Sequence, residues 1–254
     1  MILTVDIGNT NIVLGGVTGN QVTFKARLRT ELTKTSDQLS VDLKILMDIY
    51  EVDLHEIEGV IIGSVVPQVL NAFQTALKKL IGKTALVVGP GLKTGLNILL
   101  DNPGQTGADL VAGDVAALRE HKPPLIVIDM GTATTMAVLD KDGAHIGGSI
   151  MPGVKISMEA LKERTALLPG LQLDQPKGAI GRNTVDAMRS GVMLGSACMI
   201  DGMIERIWQE LGYQTTVIAT GGIAKFIIPL CKTPILYDQD LVIKGLAALY
   251  RANC

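Results

Sequence analysis

The residues best suited to chemistry in this chain fall in two short runs built from the same parts. Each has an aspartate, a glycine and small hydroxyl or amide residues. The first is Asp6-Ile7-Gly8-Asn9-Thr10-Asn11, entered from the apolar run Met1–Val5. The second is Asp129-Met130-Gly131-Thr132-Ala133-Thr134-Thr135, entered from Ile126-Val127-Ile128. A turn of Gly, Asn and Thr offers unhindered backbone N–H groups, and glycine lets the backbone approach ligand oxygens closely, which is what a polyphosphate needs. An aspartate closing the strand can hold Mg²⁺ directly or through water, since that ion prefers carboxylate oxygens and retains several waters. Taken singly, each run also fits an ordinary turn with an Asx hydrogen bond. The repetition favours the phosphate reading, with one loop on each of two lobes clamping a nucleotide's phosphates from both sides.

Strands must deliver those aspartates, and the pattern supplies them. Asp6 superimposes on Asp129 and Gly8 on Gly131, and each run leads into a second strand, Ile12–Gly16 or Met136–Leu139. Two halves that start with the same device imply duplication, hence an α/β protein of two similar lobes. A third strand, Gln21–Leu28, follows the turn Thr18-Gly19-Asn20. Thr35-Ser36-Asp37 caps a helix carrying Leu39, Leu43, Leu46, Met47 and Tyr50 at 3–4 spacing. Gly59–Val66 reads as a buried strand stopped by Pro67, Gln68–Leu80 as a helix, Ala85–Val88 as a strand, and Val111–Arg119 as a helix. His121-Lys122-Pro123-Pro124 breaks that helix, so the expected domains are 1–122 and 123–254. A glycine turn, Ala219-Thr220-Gly221-Gly222-Ile223, follows the strand Thr215–Ile218 and suits the flat face of a base or ribose.

Composition narrows the function classes. Hydrophobic residues make up 47% of the 254 and charged residues 19%, enough apolar material for a real core and against disorder. With one Trp, four Tyr and three Phe, that core must be aliphatic. The net charge of −2 gives no electrostatic footprint for nucleic acid. Cys198, Cys231 and Cys254 are dispersed and form no C-x-x-C pair, so neither a disulfide framework nor a zinc site is indicated. No basic leader or membrane-spanning run is evident, and a cytoplasmic protein with no membrane partner is expected. Neither a Walker A sequence nor a G-x-G-x-x-G fingerprint occurs, which excludes a P-loop kinase and argues against an ordinary Rossmann dehydrogenase. The histidines, His55, His121 and His145, are scattered, and His145 reads as surface or core.

The paired D-x-G loops resemble the phosphate loops of the actin-like, acetate- and sugar-kinase superfamily. Within it the chain most resembles the type III pantothenate kinases. Further matching segments run along the whole chain: Ser64–Pro67, Asp101–Pro103, Gly107–Asp109, Gly147–Gly153, Thr165–Pro169, Gly181–Thr184 and Ala219–Gly222. The resemblance implies two duplicated ribonuclease-H-like lobes with a nucleotide cleft between them. It implies that Asp6, Ile7, Gly8, Asn9, Thr10, Asn11, Ile12 and Val13 hold ATP phosphates with Mg²⁺ at Asp6, and that Thr132 contacts ATP from the second lobe. Asp129 would sit at a monovalent-cation site filled by K⁺ or ammonium. Leu100, Gly107, Ala108, Asp109, Leu110 and Thr184 would line the acceptor pocket, with Asp109 as general base. A homodimer acting on a small molecule, pantothenate, in coenzyme A synthesis is implied.

Asp109 has its own chemical argument. Phosphoryl transfer needs a carboxylate to accept the attacking hydroxyl's proton, and Gly107 beside it leaves room for a substrate. An aspartate before Leu110-Val111-Ala112 equally resembles a helix N-cap. Two positions depart from the family pattern: Leu110 stands where an arginine usually holds the acceptor's carboxylate, and Leu100 where a tyrosine usually lines the pocket. Both make the acceptor site more apolar. They keep open a paralogous kinase for another, uncharged hydroxyl compound, and a non-catalytic nucleotide-binding regulator stands as the alternative of another class.

Overall fold

The computed structural model describes residues 1–254 and contains two five-stranded sheets. In the first, β1 (Ile2–Ile7) pairs antiparallel with β2 (Asn11–Thr18), and β2 with β3 (Gln21–Arg29). On its other side β1 runs parallel to β4 (Gly59–Ser64), which runs parallel to the short β5 (Leu86–Val87). The order is β3-β2-β1-β4-β5. The second sheet repeats it as β8 (His145–Pro152), β7 (Ala133–Leu139), β6 (Leu125–Met130), β9 (Thr216–Thr220) and β10 (Leu236–Tyr237), with the same directions. The duplication read from two D-x-G runs thus extends to the whole topology of both sheets.

Register makes the repeat quantitative. Asp6 faces Val13 across its hairpin and Asp129 faces Thr135. Asp6 and Asp129 lie 123 positions apart, Val13 and Thr135 only 122, so the second hairpin turn is one residue shorter. It closes with Gly131 N–H to the Ala133 carbonyl at 2.9 Å, where the first closes with Gly8 N–H to the Asn11 carbonyl at 3.0 Å. A bulge interrupts the next pairing in both sheets, at Gly16/Val17 and at Val138/Leu139, again 122 positions apart.

Helices bury the sheet faces. α1 (Ser36–Ile49) starts at Thr35, whose hydroxyl accepts the Gln38 N–H while the Gln38 side chain accepts the Thr35 N–H, a complete capping box. α2 (Pro67–Ile81) ends at Gly82 in the left-handed conformation. Together they contribute Leu43, Met47, Phe73 and Leu77 to a core with Leu3, Val5, Leu14 and Ile62. α3 (Ala108–Glu120) packs on α7 (Leu241–Asn253), and α7 lies on β1 and β4. In the second unit, α4 (Val154–Arg164), the 28-residue α5 (Thr184–Leu211) and α6 (Ala224–Ile227) join Ile126, Ile128, Met136 and Val217 in one core. No helix is long and apolar enough to cross a membrane.

The compact units do not follow a simple halving of the chain. The first comprises residues 1–96, 101–120 and 240–254; the second comprises 97–100 and 121–239. One change of unit, at Glu120/His121, lies beside the expected boundary, and Pro123-Pro124 is cis. Residues 240–254, read with the second lobe from sequence, instead form α7 in the first. The apolar face of α7, with Leu241, Ile243, Leu246 and Leu249 buried, explains this, and Lys25–Asp240 and Lys244–Glu120 ion pairs fasten it. Residues 97–100 join the second unit because Asn97 and Leu99 exchange backbone hydrogen bonds with His145, each 2.8 Å. His145 is accordingly buried within the second unit.

Candidate active site

The first loop projects from the carboxyl ends of β1 and β4, the edge of an α/β sheet where ligands characteristically bind. Asp6, half-buried, lies in register between Val13 and Gly63. Asn9 and Thr10 are exposed at the turn. Ile7 and Ile12 are buried in the core, so within the segment 6–13 they can offer a ligand only their backbone. Val13 packs instead against Ile243 and Ala247. The turn is held from behind by the residue after β3: the Thr30 hydroxyl donates to the Gly8 carbonyl at 2.7 Å, and the Thr30 N–H donates to the Thr10 carbonyl at 3.0 Å. A third tie comes from β4, whose exit residue Val65 donates its N–H to the Ile7 carbonyl at 3.0 Å.

Asp109 stands at the same end of the first unit. α3 begins at Ala108, not at Val111 as the apolar pattern suggested, because the Val111 N–H is already bonded to the Gly107 carbonyl at 3.0 Å. Asp109 therefore lies inside the first turn and is not the cap residue. There its charge is favoured by the helix dipole. One carboxylate oxygen accepts the Leu110 N–H at 2.9 Å, and the other takes no hydrogen bond from the protein. The start of α3 leans on the loop after β4: a Cβ built at Gly107 would lie 3.7 Å from Val65 Cγ1. Val65 thus lies between the Asp6–Asn11 loop and the turn that carries Asp109, and Gly107, Ala108, Asp109 and Leu110 are brought together in the first unit.

In the second unit, Asp129 sits in a row of three residues on one sheet face, between Thr220 of β9 and Thr135 of β7. The Thr135 hydroxyl is buried with no hydrogen-bond partner, an uncommon state for a buried polar atom. Gly221, at φ +93°, must be glycine: a Cβ there would stand 2.6 Å from the Met130 carbonyl oxygen and 2.7 Å from Asp129 Oδ1. Gly153, just after β8, is as tightly placed, since a Cβ would overlap the Thr132 carbonyl oxygen. The loop is thus clasped by two close backbone approaches. A single carboxylate with a spare hydroxyl suits a hard cation that takes its other ligands from water, carbonyls or phosphate. No three His, Cys, Asp or Glu side chains converge in the molecule, so these residues fit Mg²⁺ or a monovalent cation and not a structural zinc.

Leu100 and Thr184 belong to the second unit, apart in the chain's organisation from Gly107–Leu110. Thr184 opens α5, exposed, after Asn183, whose side chain accepts the Asp186 N–H at 2.9 Å. The Lys177 ammonium and the Asn183 amide hold the Asp186 carboxyl below its ordinary range. Arg189 approaches Asp186 at 3.6 Å and keeps a buried Nε without a partner, a feature no sequence signal marks. Between α4 and α5 runs a groove of 790 Å³ lined by Leu161, Arg164, Met188, Val192 and Met199 among others. Burial pushes the Cys231 thiol up to about 12, so it stays protonated at neutral pH.

Two duplicated lobes of this topology, each with a glycine-hydroxyl loop after an aspartate near the strand end, place the chain in the two-lobed fold class of the actin-like proteins and sugar kinases. A candidate 2-dehydro-3-deoxygalactonokinase from Sinorhizobium meliloti shares the fold, with a TM-score of 0.61 at 14% identity over 99% of this chain and 96% of its own. The sequence narrows the class further. A family model for the type III pantothenate kinases matches residues 2–206. A type III pantothenate kinase of an Exiguobacterium species is 42% identical over 253 residues, covering 100% of this chain and 99% of that protein. Its counterpart in Exiguobacterium sibiricum is 40% identical with both chains fully covered. The chain belongs to the type III pantothenate kinase family.

Proposed function

We infer that this chain transfers the γ-phosphoryl group of ATP to the primary hydroxyl of pantothenate, the first step of coenzyme A synthesis. The single observation that carries the site assignment is the link through Val65, which ties the Asp6–Asn11 loop and the Asp109 turn to one end of one sheet. In the step, the acceptor's hydroxyl oxygen bonds to the γ-phosphorus while the bridge to the β-phosphate breaks, ADP leaves, and the hydroxyl proton passes to Asp109. Asp109's oxygen without an internal donor is the one available to take that proton. Backbone N–H groups of residues 9–11 are assigned to the phosphates, and the Asp6 carboxylate to Mg²⁺, which supplies charge neutralisation when bound. Thr132 is assigned to ATP, and Asp129 with the unpartnered Thr135 hydroxyl to the monovalent cation.

Gly107, Ala108, Asp109 and Leu110 are assigned to the acceptor, together with Leu100 and Thr184. The leucines at 100 and 110 favour a second reading for the acceptor alone, an uncharged alcohol. A homodimer is also proposed, supported by the groove along α4 and α5 and by the exposed Leu161 and Leu167 near it. ADP release measured against a panel of alcohols tests the assignment. Turnover with pantothenate is the expected result, turnover only with uncharged alcohols would move the acceptor, and nucleotide binding without turnover would sink the kinase reading.

A further inference from the structure

Nothing in the sequence reading assigns a role to Thr30, yet both its backbone and its side chain are committed to the first loop. Its hydroxyl donates to the Gly8 carbonyl at 2.7 Å and its N–H to the Thr10 carbonyl at 3.0 Å. The strand register explains how it arrives there. Asn11 is the last pair of β2 with Arg29 of β3, so Thr30 is the first residue beyond the ladder and lies beside the turn. A peptide unit is planar and trans, so its C=O and the next residue's N–H point in opposite directions. Pulling the Gly8 and Thr10 carbonyls toward β3 therefore turns the N–H groups of Asn9 and Asn11 away from it.

The second unit repeats the arrangement by other means. Ala133 pairs with Pro152, which makes Gly153 the residue after the ladder, so close to the loop that a Cβ there would overlap the Thr132 carbonyl. With the one-residue offset between hairpins, Thr132 is the counterpart of Thr10. In both units the residue that follows the third strand lies against the same loop carbonyl: Thr30 donates its N–H to Thr10, and at Gly153 no room is left for a side chain beside Thr132. Only Thr30 brings a side chain that reaches a second carbonyl.

We propose that Thr30 is a positioning residue for phosphate binding: by anchoring the Gly8 and Thr10 carbonyls it presents the Asn9 and Asn11 N–H groups to the polyphosphate of ATP. This rests on the assignment of residues 6–13 to ATP phosphates. The test compares the intact enzyme with Thr30→Val, which keeps the shape and removes the hydroxyl, and Thr30→Ser, which keeps the hydroxyl. MgATP and adenosine binding are measured by calorimetry, together with the unfolding temperature. Losing one hydrogen bond to a loop carbonyl should weaken MgATP binding about tenfold in Thr30→Val. Adenosine affinity should be unchanged and Thr30→Ser should bind MgATP like the wild type. If Thr30→Val does not fold, Thr30→Ala removes the same hydroxyl and serves in its place. Equal MgATP affinity in the hydroxyl-free variant and wild type would overturn the proposal, as would equal losses for MgATP and adenosine. Asp6→Asn separates the two layers: if it too leaves MgATP binding and turnover untouched, the loop assignment itself fails, and Thr30 with it.

Discussion

Thr30 and Gly153 hold the same position in the two halves of the chain, each the first residue beyond its third strand and each set against the equivalent loop carbonyl, Thr10 in one and Thr132 in the other. In the first unit the Thr30 N–H donates to that carbonyl and its hydroxyl reaches a second one, Gly8; in the second unit there is no side chain at all. Duplicated lobes thus share the approach of this residue to the loop and differ in the side chain it carries.

That exchange can be tested at the glycine. Gly153→Ala must displace the Thr132 backbone, since its Cβ has no room. ATP KM should rise by about tenfold or more, on the scale of a strained backbone costing ~1–3 kcal/mol. Gly202→Ala, in open space on α5, should instead stabilise the protein by roughly 0.5–1 kcal/mol through helix propensity. Steady-state kinetics and thermal unfolding of both variants check the contrast, and an unchanged KM in Gly153→Ala would show that the close approach is irrelevant to nucleotide binding.

Asp109 gives the sharpest catalytic prediction. A well-placed general base contributes about 10²–10⁴-fold in rate, so Asp109→Asn should lose most of kcat while MgATP affinity stays nearly intact. The asparagine carbonyl can still accept the Leu110 N–H, which keeps the helix start folded. Full turnover in this variant would reduce Asp109 to a favourable charge in the first turn of α3.

The cation assignment predicts a salt effect. Replacing Na⁺ with K⁺ or ammonium at constant ionic strength should raise both activity and unfolding temperature, because a ligand that binds the folded state stabilises it. Asp129→Ala should abolish both responses, and Thr135→Val, which removes the unpartnered hydroxyl, should weaken them. Identical melting and rates in all three salts would exclude a cation at this row of residues.

The proposed acceptor can be tested at Leu110. A charge-assisted hydrogen bond to a carboxylate is worth about 1.5–3 kcal/mol, or roughly 10–150-fold in affinity. Leu110→Arg, better still combined with Leu100→Tyr, should therefore lower KM for pantothenate by about tenfold or more. A wild type already saturated at low pantothenate, with no gain from the arginine, would point to a substitute cation. Arg164, Arg182 and Arg189 are then the side chains to remove.

Asp186 predicts an acid response at the start of α5. Its carboxyl lies below the ordinary range because Lys177 and Asn183 bond it, so its contribution to stability is present above the unfolded carboxylate pKa. That contribution is lost as pH falls through the lower, folded value. Asp186→Asn should flatten the acid limb of the unfolding curve, measured by thermal melting across the acidic range, and an identical acid limb would show the contact is silent.

Local sequence determined a good deal of this protein. Thr35-Ser36-Asp37 marks the start of α1, and two aspartates followed by Gly and small hydroxyl or amide residues mark the loops and the duplication, because caps and turns are set by residues within a few positions of one another. Tertiary structure alone decided where α7 belongs: it packs on β1, β4 and α3 of the first unit. It also decided that Ile7 and Ile12 look inward, that α3 starts early enough to place Asp109 inside a turn, and that Val65 lies between that turn and the Asp6–Asn11 loop. Thr30 shows the reason most plainly. A threonine after an ordinary strand carries no mark of function, and only the antiparallel return of β3 brings it, 22 residues on, against the Gly8 carbonyl.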